Sequence, residues 1–256
     1  MRLIDTHAHL DSPKLSADLD TVLAAAREAG VERIVTIGAS RGKESNRRAL
    51  ELARQYDFIR CTAGIHPHEA GDADDAFIAL ITDELAGLDE VVAIGEAGLD
   101  YHYDFAPKDV QERVFRTCLQ LSKAVNKPIV IHSRDAEEDT LRMLREEDVR
   151  GGILHCFTGS REMAEAALEL DFYISFSGIV TFKSGADLLD IATKVPAERI
   201  LVETDSPFLA PIPFRGKINQ PAYVRHTAEK IAHARGQSLE DFSEMVWENA
   251  SRVFGW

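Results

Sequence analysis

The chain has 256 residues, a formal net charge of -14 and 45% hydrophobic residues, a composition that suits one globular domain with a sizeable core. No uninterrupted apolar run approaches the roughly 18 residues of a membrane span, so we expect no membrane partner. The excess of 43 acidic over 29 basic residues repels polyanions at long range and argues against a general nucleic-acid binder. Any phosphate-bearing substrate must therefore be captured by local positive charge.

The cysteines and the first residues bear on the cellular compartment. Cys61, Cys118 and Cys156 are odd in number and far apart, unlike a disulfide framework or a paired-cysteine zinc site. The first strand-like run, Arg2 to Thr6, leaves no space for a secretory signal of about 15–30 residues. We therefore expect a cytoplasmic protein. The sequence leaves the oligomeric state open, a monomer included.

Strand-like apolar runs alternate with amphipathic helical segments along the whole chain. The predicted strands cover residues 2–6, 33–38, 59–65, 91–96, 128–132, 152–157, 172–178 and 199–204. The predicted helices cover residues 17–29, 45–55, 75–87, 107–125, 136–146, 161–169, 186–194, 221–234 and 239–254. Continuous apolar strand cores are typical of parallel strands covered on both faces. Eight such units, without a G-x-G-x-x-G turn, predict an α/β fold of the (β/α)₈ TIM-barrel class, as a single domain over residues 1–256.

Polar residues at the ends of the predicted strands form the candidate site, because active sites of (β/α)₈ barrels lie at the C-terminal strand ends. His7 and His9 are two residues apart, so both rings project to one side of an extended chain and can bind one cation. A lone histidine is more often structural than ligating, but here several polar residues converge. The six candidate metal ligands are His7, His9, Glu96, His132, His155 and Asp205.

The chemistry and the number of these ligands indicate which metal ions the site suits and whether it is structural or catalytic. Imidazole with carboxylate and no thiolate suits zinc, manganese, cobalt or iron, whereas magnesium prefers more oxygen ligands. Six ligands exceed the four of a closed structural site, so positions stay open for water and substrate. Asp205 is the candidate general base, and ligation alone is its alternative role.

Further polar residues near the strand ends are candidates for supporting or substrate-binding roles. His66, after the third strand, is expected to support the site or to contact substrate. Glu203 is expected to orient a ligand, with plain solvation as the alternative. Arg134, after the fifth strand, and Arg215 and Lys217, in a late loop, offer positive charge for a phosphate, with solvated surface charge as the alternative.

Six short motifs and the late loop occur in a recognisable order. They are DTHAH (5–9), GIHPH (64–68), GEAGLD (95–100), IHSR (131–134), HCFTG (155–159), ETDSP (203–207) and RGKINQP (215–221). In this order they closely resemble the TatD family of metal-dependent deoxyribonucleases. The resemblance spans essentially the whole chain, and every expected ligand position is filled.

The resemblance implies both a site and a reaction. One divalent ion would be held by His7, His9, Glu96 and Asp205, and the other by Glu96, His132 and His155, with Glu96 bridging. Glu96 and Asp205 would be the catalytic residues, with two ions of magnesium, manganese or zinc as cofactors. The implied activity is hydrolysis of DNA phosphodiester bonds by a 3′-to-5′ exonuclease. Because the net charge is negative, we expect single-stranded DNA or 3′ ends as the partner rather than long duplex.

Two other functions compete with the nuclease. An amidohydrolase-type enzyme acting on a small amide, ester or lactone shares the fold and the kind of ligands. Glu96 as the apparent bridge, where many such relatives would use a lysine, and the late loop with Asn219 favour the nuclease. The second competitor is a binding protein that keeps its metal for stability. Open ligand positions argue against that function.

Overall fold

A computed structural model describes residues 1–39 and 41–256, and its strands and helices follow the predicted alternation. The strands are β1 Leu3–Ala8, β2 Val31–Thr36, β3 Ile59–Ala63, β4 Val91–Asp100, β5 Ile129–Arg134, β6 Gly152–Leu154, β7 Phe172–Phe176 and β8 Ile200–Val202. The helices are α1 Pro13–Ser16, α2 Leu19–Glu28, α3 Gly42–Gln55, α4 Asp75–Ala79, α5 Lys108–Ala124, α6 Glu137–Glu146, α7 Arg161–Glu169, α8 Ala186–Lys194, α9 Val224–Ala234 and α10 Leu239–Phe254. One sheet contains the eight strands in chain order. The predicted (β/α)₈ class is confirmed.

Two compact units contain the residues of this fold. The first unit consists of Met1–Thr36, His155–Phe157 and Ile174–Trp256. The second unit consists of Ile37–Leu154 and Thr158–Tyr173. The expectation of a single domain stays a prediction.

In the first unit, the chain after β8 lies along the end of β1. β1 pairs in parallel with β2, and β7 pairs in parallel with β8. The Asp205 amide donates to the His7 carbonyl at 3.0 Å, and the His9 amide donates to the Ser206 carbonyl at 2.8 Å. All six residues of β1 are buried, with α9 and α10 packed against this strand. These backbone bonds therefore bring Asp205 beside His7 and His9.

In the second unit, β4 is longer than the sequence pattern predicts. β3, β4, β5 and β6 pair in parallel in this order, and β4 runs for ten buried residues to Asp100. Gly98 lies opposite His132 in this pairing. Glu96 therefore lies inside β4, and the expectation that this strand ends at Glu96 is wrong. The strand continues because Gly98, which lacks a side chain, lets the two backbones approach each other.

The helix ends follow the expected local signals. The Ser238 hydroxyl accepts a hydrogen bond from the Asp241 amide at the start of α10, a position where serine is a favoured cap. The same helix ends at Gly255 in the left-handed conformation. The predicted helix over 75–87 is divided into α4 and a π-helical turn, Leu80–Leu85. Among the described residues, no helix combines the length and the apolarity that crossing a membrane requires.

Replacing Gly98 by alanine tests the close approach of β4 to β5. Gly98 has a φ of +146°, and a Cβ atom there would lie 2.0 Å from the His132 carbonyl oxygen. We expect Gly98→Ala to lower the free energy of unfolding by about 3 kcal/mol or more, since backbone strain adds to overpacking. Urea denaturation measures this loss. Gly87→Ala is the matched control, because a Cβ atom at Gly87 would meet nothing within 4 Å. Equal losses in the two variants would contradict the interpretation.

Candidate metal centre

In the first unit, His7, His9 and Asp205 form a group that can hold one ion. One ligand atom from each residue lies within 4.8 Å of the other two. His9 Nε2 lies 3.3 Å, and His7 Nε2 3.8 Å, from Asp205 Oδ1. The two histidine rings are buried and have their centroids 5.1 Å apart. The two-residue spacing thus brings both rings to the same carboxylate, in a donor set that suits a divalent transition metal.

The ionisation of Asp205 suits a metal ligand. Burial by itself raises the pKa of this carboxyl group, but the hydrogen bond with His9 and the charges of His7 and His155 outweigh burial. The pKa of Asp205 therefore lies below its usual value. Asp205 is a carboxylate at neutral pH, the form that binds a metal ion.

Asp5 connects the two chain segments that carry this group, a role that the sequence did not reveal. Its Oδ1 accepts hydrogen bonds from the Thr204 amide at 2.9 Å and the His7 amide at 3.3 Å. Its Oδ2 contacts the Thr204 hydroxyl at 2.6 Å. Burial raises the pKa of Asp5 to about 8, although the bonds from Thr204 and His7 lower it. Oδ1 can accept both amides with or without a proton on Oδ2. The only sequence signal was a carboxylate inside an apolar strand.

His155 lies beside His7, and Glu203 determines which ring nitrogen of His155 carries the proton. The His7 and His155 rings stack with centroids 3.9 Å apart. Glu203 Oε1 lies 3.1 Å from His155 Nδ1 and accepts the Cys156 amide at 2.9 Å. Glu203 Oε2 accepts the Ser175 hydroxyl at 2.5 Å. Since a carboxylate accepts the Nδ1 proton, Nε2 of His155 keeps the lone pair that a metal needs.

Glu203 and Asp205 are two residues apart and would share one face of an extended strand, but the strand does not extend that far. β8 ends at Val202, and Asp205 has a φ of +54°, so the chain is not extended over 203–205. Glu203 therefore contacts His155, whereas Asp205 contacts His9. The contact with His155 agrees with the orienting role expected for Glu203, which stays a prediction.

In the second unit, Glu96 has two histidines as neighbours. His132 Nδ1 lies 3.1 Å, and His66 Nε2 3.3 Å, from Glu96 Oε1. Ligand atoms of the three residues all lie within 4.8 Å of one another. Glu96 is buried, being 2% exposed. The distances permit an ion here, and the hydrogen positions indicate which nitrogens can bind it.

Asp100 orients His132 and is the second residue that the sequence reasoning missed. Its Oδ2 accepts from His132 Nε2 at 3.0 Å and from His68 Nε2 at 2.8 Å. Its Oδ1 accepts the amides of His102 and Tyr103, each at 3.0 Å. Burial alone raises the pKa of Asp100, but the hydrogen bonds from His132, Tyr103 and His68 outweigh it and keep the pKa below its usual range. An ionised Asp100 therefore holds the proton on His132 Nε2.

This proton position leaves His132 Nδ1 facing Glu96. An unprotonated Nδ1 and a carboxylate oxygen are both acceptors, so their 3.1 Å contact needs either a second proton or a cation. A divalent ion at this point replaces the proton, which is the usual linkage of metal binding to proton release. The second-unit residues thus fit a metal ligated through His132 Nδ1 and Glu96.

His66 is held in a tautomer that does not suit a metal ligand. The His68 amide donates to His66 Nδ1 at 3.1 Å, so the neutral ring carries its proton on Nε2. Burial, as the largest effect, lowers the pKa of His66 to about 4. His66 is therefore a neutral hydrogen-bond donor that faces Glu96. This agrees with the supporting or substrate-contacting role expected from the sequence, which stays a prediction.

The three predicted phosphate contacts lie near aromatic rings. Arg134 is half-buried in the second unit, with its guanidinium 4.9 Å from the Tyr103 ring centroid. In the first unit, the exposed Arg215 lies 4.5 Å from the Phe182 ring. The exposed Lys217 lies 5.8 Å from the ring of Phe214, also in the first unit. Their role toward phosphate stays a prediction.

Asn219, for which the sequence predicts a supporting or substrate-binding role, forms hydrogen bonds to the segment after β8. It is fully buried, and its amide group donates to the Thr204 carbonyl at 2.8 Å and to the Phe208 carbonyl at 2.6 Å. Its Oδ1 accepts the Gln220 amide at 2.9 Å. These bonds make Asn219 a support for the chain around Asp205.

Substitution of Asp100 tests its effect on His132. We expect Asp100→Asn to weaken the binding of manganese or zinc by about 10- to 100-fold, as loss of an orienting carboxylate does elsewhere. Competition with a chelating dye measures the affinity. Asp135→Asn is the matched control, since Asp135 pairs at 3.1 Å with an exposed histidine, His102. Equal affinities of the two variants would show that Asp100 does not prepare the ligand.

The lowered pKa of His66 predicts a pH dependence of stability in metal-free protein. Below its usual pKa of 6.5, His66 of the unfolded chain takes up a proton that the folded protein binds only near pH 4. The free energy of unfolding should therefore fall between pH 6.5 and 4, by on the order of 2–3 kcal/mol from this residue. Urea denaturation should show a shallower pH dependence in His66→Gln than in the wild type. His233→Gln, at an exposed helix position, should leave it unchanged. A His66→Gln variant with the wild-type slope would contradict the assignment.

Comparisons with known proteins agree with the geometry over the whole chain. The model of the family described as TatD related DNase matches residues 4–255. An uncharacterized metal-dependent hydrolase of Bacillus subtilis, YabD, is 46% identical over 254 residues, which cover 98% of each chain. The 3′-5′ ssDNA/RNA exonuclease TatD of Salmonella typhimurium is 37% identical over 263 residues, again covering 98% of each chain.

A solved structure shows the same relationship. YjjV, a TatD homologue from Escherichia coli K12, superposes with a TM-score of 0.92 at 28% identity, covering 100% of this chain and 98% of that chain. The fold, the two ligand groups and the relatives lead to one conclusion. This chain belongs to the TatD family of metal-dependent hydrolases.

Proposed function

We propose that this protein hydrolyses phosphodiester bonds of DNA with two divalent ions and removes nucleotides from 3′ ends. The observation that carries the proposal is the pair of ligand groups, one in each unit, made of histidines and carboxylates. The proposed ligands are His7, His9, His155 and Asp205 in the first unit and Glu96 and His132 in the second. The name of the Salmonella relative supports a nucleic-acid substrate and the 3′-to-5′ polarity.

The protein residues prepare the reaction by holding protons in defined places. When bound, divalent ions make water a stronger acid and stabilise negative charge on the departing oxygen. Asp205, ionised beside His9, accepts the proton of the attacking water as general base. Glu203 and Asp100 orient His155 and His132, and His66 donates toward Glu96. Asp205 and Glu96 are thus the proposed catalytic residues.

Local positive charge selects the substrate. The net charge of -14 repels a long polyanion, so binding depends on a few contacts from Arg134, Arg215 and Lys217. Few phosphate contacts favour short or single-stranded ends over long duplex. They also give a shallow dependence of affinity on salt.

A nuclease assay with metal-stripped protein tests this proposal. The protein is re-supplied with magnesium, manganese or zinc and given single-stranded DNA labelled at the 3′ or the 5′ end. Rapid release of label from the 3′ end, with a ladder of shortened 5′-labelled products, is expected. Asp205→Asn should lower the rate about 100-fold or more, as expected for a lost general base. Glu84→Gln, at an exposed site, should retain the wild-type rate.

Two results would count against the nuclease. The first is no release with any metal, from protein shown to bind metal ions. The second is cleavage of a small amide, ester or lactone by protein that leaves DNA intact, which would favour the amidohydrolase-type function. An RNA oligonucleotide of the same sequence, assayed in parallel, separates a deoxyribonuclease from an enzyme that accepts both sugars.

A further inference from the structure

The loop after β4 exposes two aromatic side chains in the second unit. Tyr103 is 43% exposed and Phe105 is 65% exposed. Their ring centroids lie 5.5 Å apart with planes inclined by 35°. A single exposed aromatic residue needs no explanation, but two adjacent rings beside polar groups point to a binding surface. We call Tyr103 and Phe105 the aromatic platform.

The loop that carries the platform is anchored at both ends. The amides of His102 and Tyr103 donate to Asp100 Oδ1, each at 3.0 Å. The Gln111 side chain accepts the Asp100 amide at 2.8 Å and donates to the Ala106 carbonyl at 2.9 Å. Asp100 and Gln111 are buried, so these bonds are protected from water. The aromatic platform is therefore held in place without a ligand.

One histidine ring separates the platform from the second-unit ligand group. His68 has its ring centroid 4.7 Å from that of Phe105 and 5.5 Å from that of Tyr103. The same ring lies 4.4 Å from His66 and 6.1 Å from His132, centroid to centroid. A substrate whose phosphate is held at Glu96 and His132 therefore extends its neighbouring groups toward these rings.

Arg134 adds a positive charge at the edge of the platform. Its guanidinium lies 4.9 Å from the Tyr103 ring centroid, within the range of a cation–π contact. Arg134 follows His132 by two residues on β5, so its charge lies on the same strand as a proposed metal ligand. Aromatic rings beside a local cation are the combination that binds single-stranded nucleic acid by stacking.

We propose that Tyr103 and Phe105 stack on an unpaired nucleobase of the substrate, while Arg134 holds the adjoining phosphate. This inference rests on the proposed nuclease function and specifies the form of its substrate. A base inside a duplex has both faces covered by its neighbours, so the platform selects unpaired ends. Every base has a stacking face, so the platform tolerates any sequence.

The experiment compares oligonucleotides with and without bases. Metal-loaded protein is titrated by fluorescence anisotropy with single-stranded DNA that carries cleavage-resistant phosphorothioate linkages at its 3′ end. A second oligonucleotide lacks the last two bases and keeps the same backbone. The variant is the double substitution Tyr103→Leu and Phe105→Leu. Its matched control is Phe58→Leu, because Phe58 forms a similar pair with Tyr56, at 5.8 Å, before β3.

We expect the wild type and Phe58→Leu to bind the complete oligonucleotide about tenfold more tightly than the abasic one. The double variant should bind both with the weaker affinity. It should cleave an abasic oligonucleotide with ordinary linkages within about twofold of the wild-type rate, because the catalytic residues are intact. Stacking should also quench a 2-aminopurine base at the 3′ end in the wild type but not in the double variant.

The stacking site would be contradicted if the double variant still bound the complete oligonucleotide tenfold more tightly than the abasic one. It would also be contradicted if the wild type bound the two equally. These results differ from a failure of the proposed function. Wild-type protein that cleaves DNA but ignores the bases contradicts the stacking site alone. Wild-type protein that neither binds nor cleaves DNA contradicts both.

Discussion

Hydrogen bonds to buried carboxylates determine which nitrogen of His155 and of His132 carries the proton and which can bind a metal. Glu203 accepts at Nδ1 of His155, and Asp100 accepts at Nε2 of His132. The opposite nitrogen of each ring then keeps its lone pair. His66 differs from these two histidines, because a backbone amide donates to its Nδ1 and the proton of the neutral ring is therefore on Nε2. The three histidines thus differ in the nitrogen that they can offer to a metal because their hydrogen-bond partners differ.

Burying so many polar groups opposes folding, and the backbone offsets this cost. An unsatisfied buried carboxylate would lose several kcal/mol of solvation, and three of the buried carboxylates, Asp5, Glu203 and Asp100, are surrounded by donors. Asp5 receives two amides, Glu203 an amide and a hydroxyl, and Asp100 two amides and two imidazoles. Most of these donors belong to the chain segments that carry the proposed ligands, the Ser175 hydroxyl on β7 being an exception. The hydrogen bonds that offset the desolvation of the buried carboxylates therefore also position the proposed ligands.

The acidic surface and the aromatic platform favour the same kind of substrate. A chain with a net charge of -14 gains little long-range attraction for DNA, so affinity must arise at short range. Stacking on Tyr103 and Phe105 is a short-range interaction that screening by salt hardly affects. In the substrate complex that we propose, this stacking and Arg134 together hold an unpaired end with few phosphate contacts.

The sequence by itself determined the alternation of eight strands and helices, because apolar periodicity is a local property of the chain. It also indicated the six candidate ligands, since each follows or lies in an apolar strand at a place where a core residue is expected. Only the tertiary structure decided that β4 continues to Asp100, because the pairing of Gly98 with His132 joins residues far apart in sequence. The roles of Asp5 and Asp100 depend on hydrogen bonds across such distances. The tautomer of His66 depends on the amide of His68, two residues further along the chain, and on the local backbone conformation that directs this amide at the ring. The periodicity of apolar residues along one strand does not indicate which ring nitrogen of a histidine carries its proton, since this depends on the hydrogen-bond partners that the folded chain places beside the ring.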